Sequence, residues 1–356
     1  MKTRLAAARG VLEHLRLDGI IVSNAYDVRY LSGFRGEDAT LVVGRGTALI
    51  CTDSRYWAQV AEEVSGFALE RTDELVRDTA AAAARELGER AALGFQGGTL
   101  THADFRLLRR RHGGRLRDVG DRLSRLRSVK EAPEIEAVRC AATMTDGALE
   151  AVVAAGLVGR TEAEVAWQMR EELHRRGAEG PSFDPVVAAG PRAALAHAIP
   201  GERRIVSGEL VVIDSGACVD GYCSDITRTF AAGTVREELR RVYAIVLEAQ
   251  LAALAALRPG VTGHDADAAA RDVIEAAGYG DAFGHGTGHG VGLEIHEHPR
   301  LRRRSRDRLL PGMVFTVEPG IYVQDLGGVR IEDTVVLTED GYRLLTLFPK
   351  DLTIVD

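Results

Sequence analysis

The 356-residue chain is 46% hydrophobic and 27% charged, the balance of a soluble globular protein long enough for two domains and a sizeable core. A formal net charge of −7 gives no electrostatic case for nucleic acid or an anionic membrane as a partner. Four cysteines without CxxC spacing, and an N-terminus laced with charge in place of an apolar run, point to a reduced, cytoplasmic setting and no membrane span.

In chain order, residues 3–18 read as an amphipathic helix stopped at Gly19, and IIVS as a short strand. LVVG and TALICTD flank a glycine-containing turn as a hairpin. Helices over about 54–64, 73–87 and 102–111 alternate with the strands FALE, ALGF and GRLRD, making a small α/β domain over residues 1–125. After LSRLRSVKEAPEIEAVRC the pattern changes. A long helix over about 133–154 opens on Pro133, and Thr161 with Glu164 forms the capping box of a second, ending near Gly177. Strands at about 184–189, 210–216 and 223–230, helices at about 235–257 and 263–277, and strands at about 313–323 and 328–338 complete a domain over 126–356. Helices in one block and hairpin-connected strands in another predict α+β with an antiparallel sheet.

Within ELVVIDSGACVDGYCSDITRTF, Asp220-Gly221 is a two-residue turn signal. That turn sets Val219 against Tyr222 and Gly216 against Asp225, so Asp214 and Asp225 are diagonal neighbours on one face, with Gly216 leaving the space between them empty. Two such carboxylates repel unless a cation lies between them. Cys218 and Cys223 face each other near the tip and read as two small core residues, with a nucleophile or thiolate ligand as the alternative. A second acidic pair, Glu318 and Glu332, sits on two apolar segments joined by a glycine-containing loop, so both carboxylates are expected inward and in need of a cation or hydrogen bonds.

GHGTGHGVGLEIHEHPR, residues 284–300, holds four of the ten histidines on alternating glycines. Five glycines at about 1 kcal/mol each exclude a helix, and strict alternation does not fit GxGxxG. In an extended chain His285 and His289 share a face about 13 Å apart, too far to ligate one ion. One is expected to bind a metal and the other to serve substrate or proton transfer.

The set Asp214, Asp225, His289, Glu318 and Glu332, within the words VVIDSGA, SDITRTF, GHGTGHGVGLEIHE, EPGIY and GVRIED, resembles the metal-dependent pita-bread peptidases: prolidase, aminopeptidase P and methionine aminopeptidase. YDVRYLSGF and TDSRYWAQ look like the N-terminal domain of prolidases and aminopeptidases P, which methionine aminopeptidases lack. Creatinase shares both domains but not the five ligands. The resemblance implies a creatinase/prolidase-like α/β N-terminal domain and a pita-bread catalytic domain with a curved antiparallel sheet. It places Asp214, Asp225 and Glu332 on one divalent ion and Asp225, His289, Glu318 and Glu332 on a second, the two sharing a hydroxide. Manganese suits so oxygen-rich a donor set, with cobalt, zinc or iron able to enter.

By the same resemblance Glu318 shuttles the proton, His197 stands near the leaving amide, His296 steadies the tetrahedral intermediate and His285 lines the substrate pocket. Arg300 is similar to the arginine that holds a dipeptide's carboxylate, and Tyr322 and Arg330 are expected to bind substrate. His298 has no role and is expected to be exposed. The implied reaction is hydrolysis of the bond between an N-terminal residue and proline in small peptides, by a cytoplasmic homodimer. A prolidase acting on dipeptides is favoured over an aminopeptidase P acting on longer peptides. A non-catalytic peptide-binding relative is the reading from another class.

Overall fold

The structure is a computed structural model that describes residues 2–356. It divides into two compact units, one ending at Arg127 and the other beginning at Ser128. Among the described residues no helix is long and apolar enough to cross a membrane.

The first unit is a six-stranded mixed sheet in the order Ala68–Arg71, Ala48–Thr52, Thr40–Gly44, Gly19–Val22, Leu93–Phe95, Leu116–Asp118. The central three strands are antiparallel neighbours, and the outer ones add in parallel through helical crossovers. The alanine-rich helix Leu75–Leu87 brings Ala80, Ala82 and Ala83 down onto Val42, Leu49 and Leu93, where small side chains allow close approach. Gly19 does not stop the first helix. That helix ends at Leu15, Arg16 takes the left-handed conformation at φ 56, and Gly19 opens the first strand. Its lack of a side chain answers packing, since a Cβ there would run into Leu87. A short helix, Ala25–Ser32, escapes the periodicity but has clear ends, with Asn24 as its N-cap and Gly33 as a left-handed C-cap.

In the second unit Ala132–Ala154 and Glu162–Arg175 form one helix pair, and Glu237–Ala256 and Gly263–Ala276 another. The Thr161–Glu164 box is made in both directions, at 3.0 and 2.7 Å. The first pair packs on Val187, Val211, Ile213 and Phe230 of a four-stranded sheet ordered Ile354–Val355, Ile226–Ala232, Glu209–Ser215, Val186–Ala189. The second packs on Phe315, Val317, Ile321, Val329 and Val335, from a five-stranded sheet and a two-stranded ribbon. All pairings here are antiparallel except Ile226–Ala232 with Ile354–Val355. Each helix pair therefore covers the outer side of a sheet and leaves the inner sides facing one another.

Candidate metal centre and active site

Asp225, Glu318 and Glu332 each stand where a ladder is interrupted, while Asp214 lies within a strand paired on both sides. Around Asp220 and Gly221, at φ 49 and 72, one register runs from Val219↔Tyr222 and Cys218↔Cys223 to Ser215↔Ile226 and Asp214↔Thr227. It sets Gly216 opposite Asp225. The glycine, however, clears no room for an ion. A Cβ there would run into the Ser224 carbonyl oxygen and the Ser182 hydroxyl, so this position is bare because backbones close on it.

The segments expected as continuous strands over 313–323 and 328–338 each break at a glutamate. Val314–Val317 pairs with Asp333–Leu337, and Gly320–Val323 pairs with Gly327–Arg330. Continuing either register sets Glu318 opposite Glu332, yet their amides bond elsewhere. The Glu318 N–H donates to the Thr287 carbonyl at 2.7 Å and the Glu332 N–H to that of Thr227 at 3.1 Å, while Pro319 has no N–H to give. The break thus ties the glutamate hairpin to both the histidine segment and the aspartate strand.

The histidine segment enters as the strand Gly288–Gly290, between Glu297–Leu301 and Val314–Val317. Side chains at Gly286, Gly288 and Gly290 would strike the carbonyls of Leu301, Thr316 and His298 respectively, whereas Gly284 stands in open space. Three of the alternating glycines are thus demanded by neighbouring backbone. A buried ion pair anchors the approach to this strand. Arg271 donates to Asp267 at 2.9 Å and to the carbonyls of Phe283 and His285 at 3.0 and 2.8 Å. Asp267 in turn accepts from the Thr287 amide and hydroxyl.

These elements bring ligand atoms of Asp225, His289 and Glu332 within 4.8 Å of one another, all buried. The His289 Nε2 lies 3.2 Å from Glu318 Oε1 and 3.5 Å from Asp225 Oδ2, and its Nδ1 is 3.1 Å from the Gly290 carbonyl. With Nδ1–H given to that carbonyl, Nε2 points at the carboxylates, donating to Glu318 when it carries a proton and offering its lone pair to a cation when it does not. Asp214 faces Arg330, whose Nη2 is 2.5 Å from Oδ2. The cluster therefore sets four carboxylates against one guanidinium. Burial and then the neighbouring carboxylates push Asp225 and Glu332 well above the usual range, and burial raises Asp214 against the pull of Arg330. Glu318 is held low; burial opposes its charge, but the His289 hydrogen bond and the charges of His289, His285 and Arg330 outweigh it.

Asp214 Oδ1 and Glu332 Oε1 are buried with no hydrogen-bond partner among the described residues. Orphaned oxygens beside mutually repelling carboxylates and an imidazole lone pair fit divalent cations.

The same cavity, about 460 Å³, is lined by His197, His285, His296, Arg300 and the wall residues Phe183 and Val186. His296 stacks edge-on to His289 at 4.4 Å, and partial burial with that neighbour lowers its pKa to about 4. Arg300 Nη2 donates to the His296 carbonyl at 3.0 Å. Arg330 also lines the cavity, and Tyr322 is bonded to it. The Tyr322 hydroxyl lies 2.9 Å from His285 Nε2 and 2.7 Å from Arg330 Nη1. The Arg330 guanidinium is also engaged by Thr227, Ala196 and Asp214. Both hold the site's wall in place. His298 is half-buried, with Nδ1 3.0 Å from Asp307, so the expected exposure is wrong.

Sequence reasoning passes over three threonines, each two residues from a ligand and so on its face. Thr227 donates to Glu332 at 2.6 Å, Thr316 to Glu318 at 3.0 Å, and Thr334 to the Asp225 carbonyl at 2.7 Å. That spacing was the available signal. It also passes over Arg302, which lines the cavity beside Arg300.

A buried carboxylate–histidine cluster between two sheets, opening on a peptide-sized cavity, defines a metallohydrolase site. Residues 136–339 match the family described as Metallopeptidase family M24, and residues 4–129 match the Creatinase/Prolidase N-terminal domain. The chain belongs to metallopeptidase family M24 and has its pita-bread fold. It is 37% identical to an Xaa-Pro dipeptidase of Pyrococcus furiosus, over 99% of this chain and 100% of that one. Its structure is similar to an Xaa-Pro dipeptidase from Bacillus anthracis, at TM-score 0.96 and 38% identity over 99% of each chain. An X-Pro aminopeptidase from Thermotoga maritima is also similar, at TM-score 0.86 and 35% identity over 96% of this chain and 99% of that one.

Proposed function

We propose that the protein hydrolyses the bond between an N-terminal residue and proline, with Xaa-Pro dipeptides as its preferred substrates. The observation that carries the dipeptide preference is a pair of guanidiniums. Arg300 and Arg302 line the cavity that contains the carboxylate cluster, and neither has a carboxylate partner among the described residues. They lie two residues apart, and burial and then the Arg302 charge disfavour the charged form of Arg300, an arrangement that an incoming carboxylate relieves. A dipeptide brings that carboxylate one residue from the scissile bond. The relatives named Xaa-Pro dipeptidase support the same reading.

Asp214, Asp225, His289, Glu318 and Glu332 would hold two divalent cations, manganese first for so oxygen-rich a set, which when bound supply Lewis-acid polarisation and an activated water. Proton handling falls to the chain's own groups. Glu318, ionised beside His289, is placed to accept a proton. His296, neutral at pH 7, can donate an N–H to negative charge developing on the carbonyl oxygen. His197, which lines the same cavity, is the donor for the leaving proline nitrogen. An Xaa-Pro bond offers no N–H for strand-like pairing, so its binding rests on Phe183, Val186 and the carboxylate contact.

Arg300→Ala tests this reading. Loss of a charge-assisted hydrogen bond worth about 1.5–3 kcal/mol lowers kcat/KM for an Xaa-Pro dipeptide roughly 10- to 150-fold, and much less for an Xaa-Pro-Xaa tripeptide. Arg300→Lys recovers only part, lacking the planar fork. Equal losses on both substrates would make an aminopeptidase on longer peptides the better description.

A further inference from the structure

Cys218 and Cys223 are directly opposed at the end of the aspartate hairpin, with their sulfurs 3.5 Å apart. Their place in the ladder favours a bond between them. The neighbouring pair exchanges a ladder bond, Ser224 N–H to the Ala217 carbonyl at 2.8 Å, while the Cys223 N–H points away from Cys218, to the Gly292 carbonyl at 2.8 Å. Cys218 and Cys223 are therefore a non-hydrogen-bonded pair. Such pairs have Cα atoms about 4.5 Å apart, inside the span of about 4.4–6.8 Å that a disulfide bridges. The other two cysteines have no such opposition: Cys51 is a buried thiol of the first unit, raised to about 11 by burial, and Cys140 lies against Glu136 on the helix Ala132–Ala154.

We propose that Cys218 and Cys223 are a redox modification site, closed to an intrachain disulfide by a peroxide and reopened by a dithiol. Access sets the order of events. Cys218 is half-buried and Cys223 buried against Val138, Ala142 and Val291, so peroxide meets Cys218 first. The Cys218 thiolate attacks the peroxide O–O bond, taking one oxygen as a sulfenic acid and releasing water. The Cys223 sulfur then displaces that oxygen as a second water, forming the S–S bond. Two thiols are oxidised by two electrons and one peroxide is reduced. A dithiol returns both sulfurs to thiols and leaves as its own disulfide.

The bond would act on the metal ligands through the backbone. Closing 3.5 Å to about 2.05 Å reorients the two side chains and resets the spacing of their strands two residues from Asp225, and the Cys223 amide transmits the shift to Gly292 and so to the segment carrying His289. Displacing ligands in this indirect way typically weakens metal binding about 10-fold or more.

The test uses the full chain, loaded with manganese and treated with a small excess of hydrogen peroxide before alkylation and mass mapping. The expected product is lighter by two hydrogens, has a Cys218–Cys223 cross-linked peptide, keeps Cys51 and Cys140 alkylatable, and returns to the starting mass with dithiothreitol. Manganese affinity falls roughly 10-fold in the oxidised form and recovers on reduction. Sulfinic acid on Cys218 with Cys223 still alkylatable would overturn the proposal. So would a disulfide formed at other cysteines, or a closed disulfide that leaves manganese affinity unchanged. Cys218→Ala and Cys223→Ala each abolish the cross-link, and mapping of the unsubstituted chain stands if either variant folds poorly. None of these readouts depends on which peptide is cleaved.

Discussion

The strands that carry the carboxylate cluster also carry a second set of buried charges on their other side. Asp225 and Glu332 face the cavity; Arg228 and Asp333, one to three residues further on, face away. On that reverse face Arg228 donates to Asp333 at 2.7 Å and to the carbonyls of Phe348, Pro349, Thr227 and Glu332, while Lys350 and Gln250 each reach Asp333 at 2.8 Å. Burial works against the Asp333 charge, but Arg228 and Lys350 hold its pKa below the usual value. On the cavity face, repulsion among Asp225, Glu332, Asp214 and Glu318 drives carboxylates the other way. Burial is common to both faces, so it does not make a metal centre. What does is that four carboxylates share a space with a single guanidinium, that of Arg330, too little protein cation to balance them.

The largest effect should come from removing a shared ligand. Asp225→Asn or Glu332→Gln is expected to abolish turnover and lower bound metal, read by peptide hydrolysis and elemental analysis. Near wild-type activity with full metal content would remove these residues from the centre. The two faces should then differ in stability. Asp333→Asn leaves the buried Arg228 and the half-buried Lys350 without their counterion, a loss of about 3–5 kcal/mol. Asp225→Asn in chelator-treated protein relieves repulsion and should leave the melting temperature unchanged or higher. Equal destabilisation by both would erase the distinction.

Added metal sharpens the same contrast. At about 100 times Kd a ligand specific to the folded state contributes about 2.7 kcal/mol, so manganese should raise Tm in the intact protein and in Asp333→Asn, but much less in Asp225→Asn. An equal rise in all three would place the binding elsewhere.

The smallest effect concerns Asp146, an intermediate case. Its Oδ2 accepts the Leu347 N–H at 2.7 Å, its Oδ1 has no partner among the described residues, and burial raises its pKa to about 6. The folded state therefore holds the proton more tightly than the unfolded one. Its contribution to stability is full below about pH 3.8 and falls as pH rises to about 6. Asp146→Asn should flatten that slope and raise Tm at pH 7 by roughly 2–4 °C, corresponding to about 1 kcal/mol. An unchanged pH profile would mean that Asp146 stays ionised in the fold.

What the sequence determined by itself lies within reach of local geometry. A two-residue turn at Asp220-Gly221 fixes a register, and a register fixes which side chains share a face, so Asp214, Asp225 and the opposed cysteines were legible at once. The Thr161 box and the first-turn Pro133 set helix starts for the same reason. The tertiary structure alone decided how distant segments meet. It broke two strands at Glu318 and Glu332 because their amides bond to Thr287 and Thr227. It assigned Arg330 to Asp214, gave His298 to Asp307, and made Gly216 a place of backbone contact. Backbone periodicity is a property of neighbours along the chain, whereas the sharing of cations among buried carboxylates depends on which strands the packing brings together.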